Sequence, residues 1–216
     1  MRRTSLIDIK QMKPLIKICG INDLDVLNEL LDLDGIDFLG FIFYEKSIRN
    51  VSLELLEKIK GLQFNDKRPV CVYVNSESNF IEKTSSYFQN PIFQFHGNET
   101  NEFCDSFKND FWKVLRVKNK INIDEVYKYK NASGILFENY KKDTPGGTGE
   151  SFDWNLINNI KDLDTKFILS GGINCENVDN AKDINPWCLD INSGVESSPG
   201  IKNINLIKKL LNKLRI

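Results

Sequence analysis

"LSGGIN", residues 169–174, ends a short apolar run at 167–170 on two adjacent glycines. "INSGVE", residues 191–196, does the same for the run at 189–192. A short apolar run that stops at Gly and polar groups, then gives way to a segment of helical period, is the pattern of a βα unit. Outward from this pair the pattern repeats at 15–19, 38–43, 70–74, 92–95, 112–117 and 134–137. Between the runs, apolar positions recur at spacings of three and four: Leu24, Leu27, Leu30, Leu31; Leu55, Leu56, Ile59; Phe80, Ile81, Thr84, Tyr87, Phe88; and Ile207, Leu210, Leu211, Leu214. Eight βα units in 216 residues lie near the lower size limit of a closed barrel, and an open doubly wound sheet needs fewer strands. The expected fold is therefore α/β, a single-domain (β/α)₈ TIM barrel.

Composition narrows the function classes. With 41% hydrophobic residues the chain supports one sizeable core, expected over residues 13–216 behind an extension at 1–12. Met12, directly before "KPLIKICG", is a natural start, so residues 1–11 are expected to add little to the core. Lysine plus arginine (29) nearly balances aspartate plus glutamate (30), and no net field favours nucleic acid or an anionic membrane. No apolar stretch approaches the roughly 20 residues of a membrane span, and the basic N-terminus lacks an apolar signal region. A soluble, cytoplasmic protein is expected. Five cysteines at wide spacings with no C-x-x-C argue against a disulfide framework and a zinc site, and the lone His96 cannot build a polyhistidine metal centre. No metal, nucleotide or redox cofactor is expected.

In such a barrel, chemistry gathers where strands end and βα loops begin. Those ends read Cys19-Gly20, the segment from Tyr44 to Arg49, Asn75, His96-Gly97, Arg116, Glu138, Ser170-Gly171-Gly172 and Asn192-Ser193-Gly194. The two glycine loops after the seventh and eighth strands are placed to cradle a phosphate, because glycine lets the backbone approach an anion. Tight turns alone explain one such loop equally well; two at these two strands favour a phosphorylated ligand. "TPGGTGESFDW", residues 144–154, fails both the Walker pattern and G-x-G-x-x-G. It reads instead as a loop suited to fold over a bound ligand, with a helix starting near Asp153. Cys19 faces the expected site, where its thiolate acts as base or nucleophile if neighbours depress a pKa of about 8.5. Arg49 carries a fork suited to a carboxylate. His96, beside a glycine turn, fits a structural hydrogen bonder better than an acid or base. Glu138 ends the apolar run of "GILFENY", and burial there favours a partly neutral carboxyl.

Together "KICGIND", "LGFIFYEKSIRNVS", "FQFHGNE", "GGTGESFDW", "ILSGGINCENV" and "DINSGVESSPGIKN" resemble the phosphoribosylanthranilate isomerase family of tryptophan biosynthesis, in order and across the barrel. The resemblance implies an Amadori rearrangement of N-(5′-phosphoribosyl)anthranilate to the corresponding 1-deoxyribulose 5-phosphate, without a cofactor, by a monomer or homodimer. It implies Cys19 as general base, Arg49 as the holder of the anthranilate carboxylate, and Gly171, Gly172, Ser193 and Gly194 as the phosphate cradle.

It also implies an acid at the end of the sixth strand, where the family carries aspartate and this chain has Glu138. The extra methylene displaces the acid by ~1 Å, a shift that can cost roughly a hundredfold in rate. Asn139 and Tyr140 stand where the family has small residues, and Asp143 is a poorer candidate acid, well past the strand. The alternative reading is a barrel that binds a phosphorylated metabolite without turning it over, or with altered specificity.

Overall fold

The computed structural model describes residues 13–139, 151–160 and 165–215. The extension at 1–12, the loop at 144–150, Tyr140 and Asp143 lie outside the described residues. Eight strands form one closed ring in chain order: β1 (Leu15–Cys19), β2 (Phe38–Phe43), β3 (Arg68–Tyr73), β4 (Ile92–Phe95), β5 (Phe111–Val117), β6 (Gly134–Asn139), β7 (Phe167–Ser170) and β8 (Cys188–Ile191). Every neighbouring pair is parallel, and β8 closes the ring against β1. The outer layer holds α1 (Leu24–Leu31), α2 (Leu53–Ile59), α3 (Ser78–Ser85), α4 (Asn101–Asp105), α5 (Ile123–Lys128), α6 (Val178–Asp183) and α7 (Ile204–Arg215).

The expected barrel is the observed one, with differences at element ends that have physical causes. β3 begins at Arg68, before its apolar run, because the ladder to β2 already pairs Phe38 with Arg68. β6 runs on to Asn139 because its ladder with β5 pairs Arg116 with Glu138 and Val117 with Asn139, so Glu138 lies within the strand. The helix expected from Asp153 is a 3₁₀ helix over Trp154–Ile160, started by Asp153 Oδ1 accepting from Asn155 N at 3.1 Å. Tyr87 and Phe88 fall beyond α3, yet Phe88 packs into the core against Phe41 with ring centroids 4.8 Å apart.

Helix starts follow local chemistry. Asp23 caps α1 through Val26 N at 2.9 Å, and Ser52 caps α2 through Leu55 N at 3.1 Å, each meeting one of the unpaired first-turn donors. Most of the apolar positions read from spacing are buried, from Leu27, Leu30 and Leu31 on α1 to Ile207, Leu210, Leu211 and Leu214 on α7, while Leu24 and Tyr87 are half-buried and Phe80 is exposed.

Strand parity builds two cores. Outward residues such as Ile18, Leu39, Phe41 and Phe95 pack beneath the helices. Inward residues Phe38, Val70, Ile92, Trp112, Val114, Leu136, Ile168 and Cys188 form a second, smaller cluster, joined by Leu15 and Trp187. Phe38, Trp112 and Trp187 meet with centroid separations of 5.0, 5.7 and 5.9 Å and plug the N-terminal end of the ring. With that end filled, any ligand must enter from the opposite one. Among the described residues no helix is long and apolar enough to cross a membrane.

Candidate active site

Above the aromatic plug the inward positions turn polar: Lys17 and Cys19 on β1, Gln94 and His96 along β4, Arg116 on β5, Glu138 on β6, Ser170 on β7, and Asp190 and Asn192 along β8. A cleft of about 840 Å³, counting its open mouth, opens there. Its walls include Cys19, Arg49, Glu138, Gly171, Gly172 and Ser193, six of the seven residues expected at the site. Gly194 stands behind the wall. A Cβ on it would fall 1.9 Å from the Ile173 carbonyl oxygen, so its place is where the loop after β8 crosses the loop after β7. Gly171 and Gly172 both have positive φ, 94° and 69°, the left-handed region that favours glycine.

The floor of the cleft is a buried ion pair. Parallel register sets Lys17 beside Asp190, and Lys17 Nζ donates to Asp190 Oδ1 at 2.8 Å. Ser170, opposite Asp190 on β7, donates to its Oδ2 at 3.2 Å. Burial opposes the Lys17 charge, but Asp190 and then Cys19 hold the ammonium protonated well above the usual lysine range. Cys19 lies two residues on along the same inward row. Burial pushes its thiol up, and the pull of Lys17 does not reverse this, since Asp190 adds to the rise. The resting group is a thiol. The condition set for a resting thiolate, neighbours that depress the thiol, is not met.

Glu138 departs from expectation in the opposite direction. Burial alone pushes its carboxyl up, but His96 Nε2 stands 2.7 Å from Oε1 and Arg116 Nε 3.5 Å away, and together they hold it below the usual carboxylate range. The buried carboxyl is thus ionised, where the sequence suggested partial neutrality, because two basic groups converge on it across strands. His96 also meets Gln94 Nε2 through Nδ1 at 3.3 Å, and its carbonyl accepts from Arg116 Nη2 at 2.8 Å. Among the described residues, Gln94 Oε1 and Arg116 Nε are buried without a hydrogen-bond partner. The loop carrying His96 is braced by Glu99, which accepts from Asn75 N and Gly97 N and pairs with buried Lys113 at 2.8 Å.

Arg49 is held on the far wall. Its Nε and Nη2 donate to the two carboxylate oxygens of Glu196, each at 2.7 Å. Glu196 opens a small hairpin, β9 (Glu196–Ser198) and β10 (Ile201–Lys202), and also takes Lys202 Nζ at 2.6 Å. Burial would raise Glu196, yet Arg49 and Lys202 bring it down to about 2. Lys202 itself is lowered, because the cost of burial outweighs a carboxylate it shares with Arg49.

Lys17, Gln94, Asp190, Glu196 and Lys202 were not singled out in the sequence, and His96 was read as structural. The missed signal for three of them is parity: Lys17, Gln94 and Asp190 each sit two residues before a strand-end residue, on the inward row of an otherwise apolar run. Nothing comparable marks Glu196 or Lys202, which pair with each other across the hairpin, Glu196 also meeting Arg49 from 147 positions away.

Residues 16–213 match the family model described as N-(5′phosphoribosyl)anthranilate (PRA) isomerase. The chain belongs to the N-(5′-phosphoribosyl)anthranilate isomerase family. A relative of that name from Caldanaerobacter subterraneus subsp. tengcongensis is 36% identical over 202 residues, covering 93% of this chain and 97% of the relative. One from Legionella pneumophila is 38% identical over 194 residues, covering 87% and 90%. Among solved structures, the phosphoribosyl anthranilate isomerase of Thermotoga maritima superposes with a TM-score of 0.81 at 34% identity, covering 94% of this chain and 98% of that one. A PRA isomerase complexed with reduced 1-(o-carboxyphenylamino)-1-deoxyribulose 5-phosphate superposes with a TM-score of 0.79 at 33% identity, with the same coverage. PRA isomerases are thus similar to this chain over the whole ring, and the cleft lies within the matched span.

Proposed function

We propose that Cys19 and Glu138 are the base and acid with which this family member isomerises N-(5′-phosphoribosyl)anthranilate to 1-(o-carboxyphenylamino)-1-deoxyribulose 5-phosphate. The observation that carries the reading is convergence. Cys19 on β1 and Glu138 on β6 line one cleft with Arg49 and the two glycine loops. The phosphate lies against the backbone at Gly171, Gly172 and Ser193, with Gly194 holding the two loops together. The anthranilate carboxylate meets the Nη1–Nη2 edge of Arg49, since Glu196 takes the Nε–Nη2 edge.

Between these anchors the ribose ring opens. The C1–O bond breaks as a proton from the acid reaches the ring oxygen, and the anilino nitrogen lone pair closes a C1=N iminium. The iminium acidifies the C2 hydrogen, and its positive charge, with Lys17 below, favours the thiolate of Cys19 that removes that hydrogen. The enolamine then gains a proton at C1 and loses one from the C2 hydroxyl, giving the ketose. Beyond the cleavage of C1–O and the shift of electron pairs within the substrate, each step is a proton transfer between these groups, substrate and solvent. The five free cysteines support a reducing, cytoplasmic setting.

The test is steady-state kinetics on the aminoaldose with Cys19→Ser and Glu138→Gln. Each is expected to lower kcat by about 10²- to 10⁴-fold while far-UV circular dichroism and product binding persist. Wild-type kcat in either variant, or binding without turnover in the unmodified protein, overturns the reading.

A further inference from the structure

Glu138 cannot by itself supply the proton that ring opening consumes, because it stands ionised against a histidine. His96 Nε2 lies 2.7 Å from Glu138 Oε1, and the ring continues through Nδ1 to the Gln94 amide at 3.3 Å, so three inward side chains of β4 and β6 form one chain of hydrogen bonds in the cleft wall. Gln94 is 1% exposed, and its Oε1 has no partner among the described residues. An amide can present either its NH₂ or its oxygen to Nδ1. With NH₂ toward the ring, Nδ1 accepts, the hydrogen sits on Nε2, and the pair carries one net negative charge. With oxygen toward the ring, Nδ1–H donates, the ring is an imidazolium, and the pair holds one transferable proton.

We propose that His96 stores the proton that Glu138 delivers, and that Gln94 decides through Nδ1 whether the ring can hold it. The acid of this chain is then a two-residue unit, a proposal that rests on Glu138 being the acid assigned above. The Nε2 proton passes to the Glu138 carboxylate and from there to the ring oxygen, which receives the electron pair of the breaking C1–O bond. The unit is left as neutral imidazole and carboxylate, and solvent restores its proton. His96 acts through Glu138 and is a positioning and storage residue. The groups facing the ring are Glu138 from β6, Arg116 from β5 and Gln94 on its own strand; Glu99, in the following loop, is turned to Lys113, and β3 contributes Val72 and Val74 to this wall. Arg116, 3.5 Å from Glu138 Oε1, keeps the carboxylate charged and ready to take a proton from Nε2.

His96 is the chain's one histidine, so ¹⁵N-histidine labelling of the whole protein gives a single imidazole to follow. Titrated from about pH 5 to about pH 9, its loss of a proton is expected to coincide with the alkaline limb of kcat. His96→Asn keeps an N–H toward Glu138 but stores no proton. It is expected to lower kcat about 10- to 100-fold at neutral pH, with KM changed by less than about threefold, and to move the alkaline limb to lower pH. Gln94→Glu, which favours Nδ1–H, is expected to move that limb to higher pH, and to have no such effect when combined with His96→Asn. A wild-type kcat and limb in His96→Asn, or an imidazole neutral throughout the active range, overturns the proposal. Should Glu138→Gln be inactive while His96→Asn is unaffected, only this storage role fails. Activity in Glu138→Gln removes the assignment beneath it.

Discussion

Arg49 illustrates how far a single side chain's role depends on its partner. Its fork is bidentate to Glu196, which fixes the guanidinium plane and leaves one edge toward the cleft. Lysine offers a point charge in place of that fork. Arg49→Lys is therefore expected to raise KM about tenfold or more, with a smaller change in kcat, in steady-state assays at constant salt. Cys19, Arg49 and the glycines were legible as site positions, because strand ends and a family resemblance both mark them. Their ionisation was not. The state of Glu138 is set by His96, 42 positions away in the chain, and by Arg116 on the adjoining strand, and no local pattern announces either contact. The same holds for Cys19, whose burial outweighs the lysine two residues before it.

At the scale of elements, the loops after β7 and β8 work as one unit because they cross at Gly194. The Ile173 carbonyl leaves no room for a side chain there, with 1.9 Å to an added Cβ. Gly194→Ala is expected to push the loops apart, weakening competitive inhibition by inorganic phosphate about tenfold and costing about 1–3 kcal/mol of stability, read from inhibition constants and urea unfolding. The strands and their order were readable from period alone, as were α1, α2, α3 and α7, whereas α4, α5 and α6, five or six residues each, are too short to show a three-four spacing. Element ends were less readable. Arg68 and Glu138 belong to strands because ladders to β2 and β5 extend past the apolar residues, and the segment after Asp153 is 3₁₀ in place of α.

For the whole molecule, acid stability turns on carboxylates that folding holds ionised. Glu196 falls to about 2 in the fold from an ordinary value of 4.5. A depressed folded value contributes stability that is complete above the unfolded value and is lost as pH falls through the folded one. Part of the unfolding free energy is therefore expected to drain away between about pH 4.5 and about pH 2. Glu196→Gln should flatten that slope in urea titrations run across the window. Closure of the ring was legible from the number of βα units, but not what bonds its seam, because Lys17 and Asp190 are 173 positions apart. That seam has a consequence for synthesis. A ribosome releases β1 long before β8 exists, so the emerging polypeptide carries two raw sheet edges, and an unpaired lysine, until almost the last element is made. The ring therefore stays open, and prone to pairing with other chains, until β8 with Asp190 is free to dock against β1.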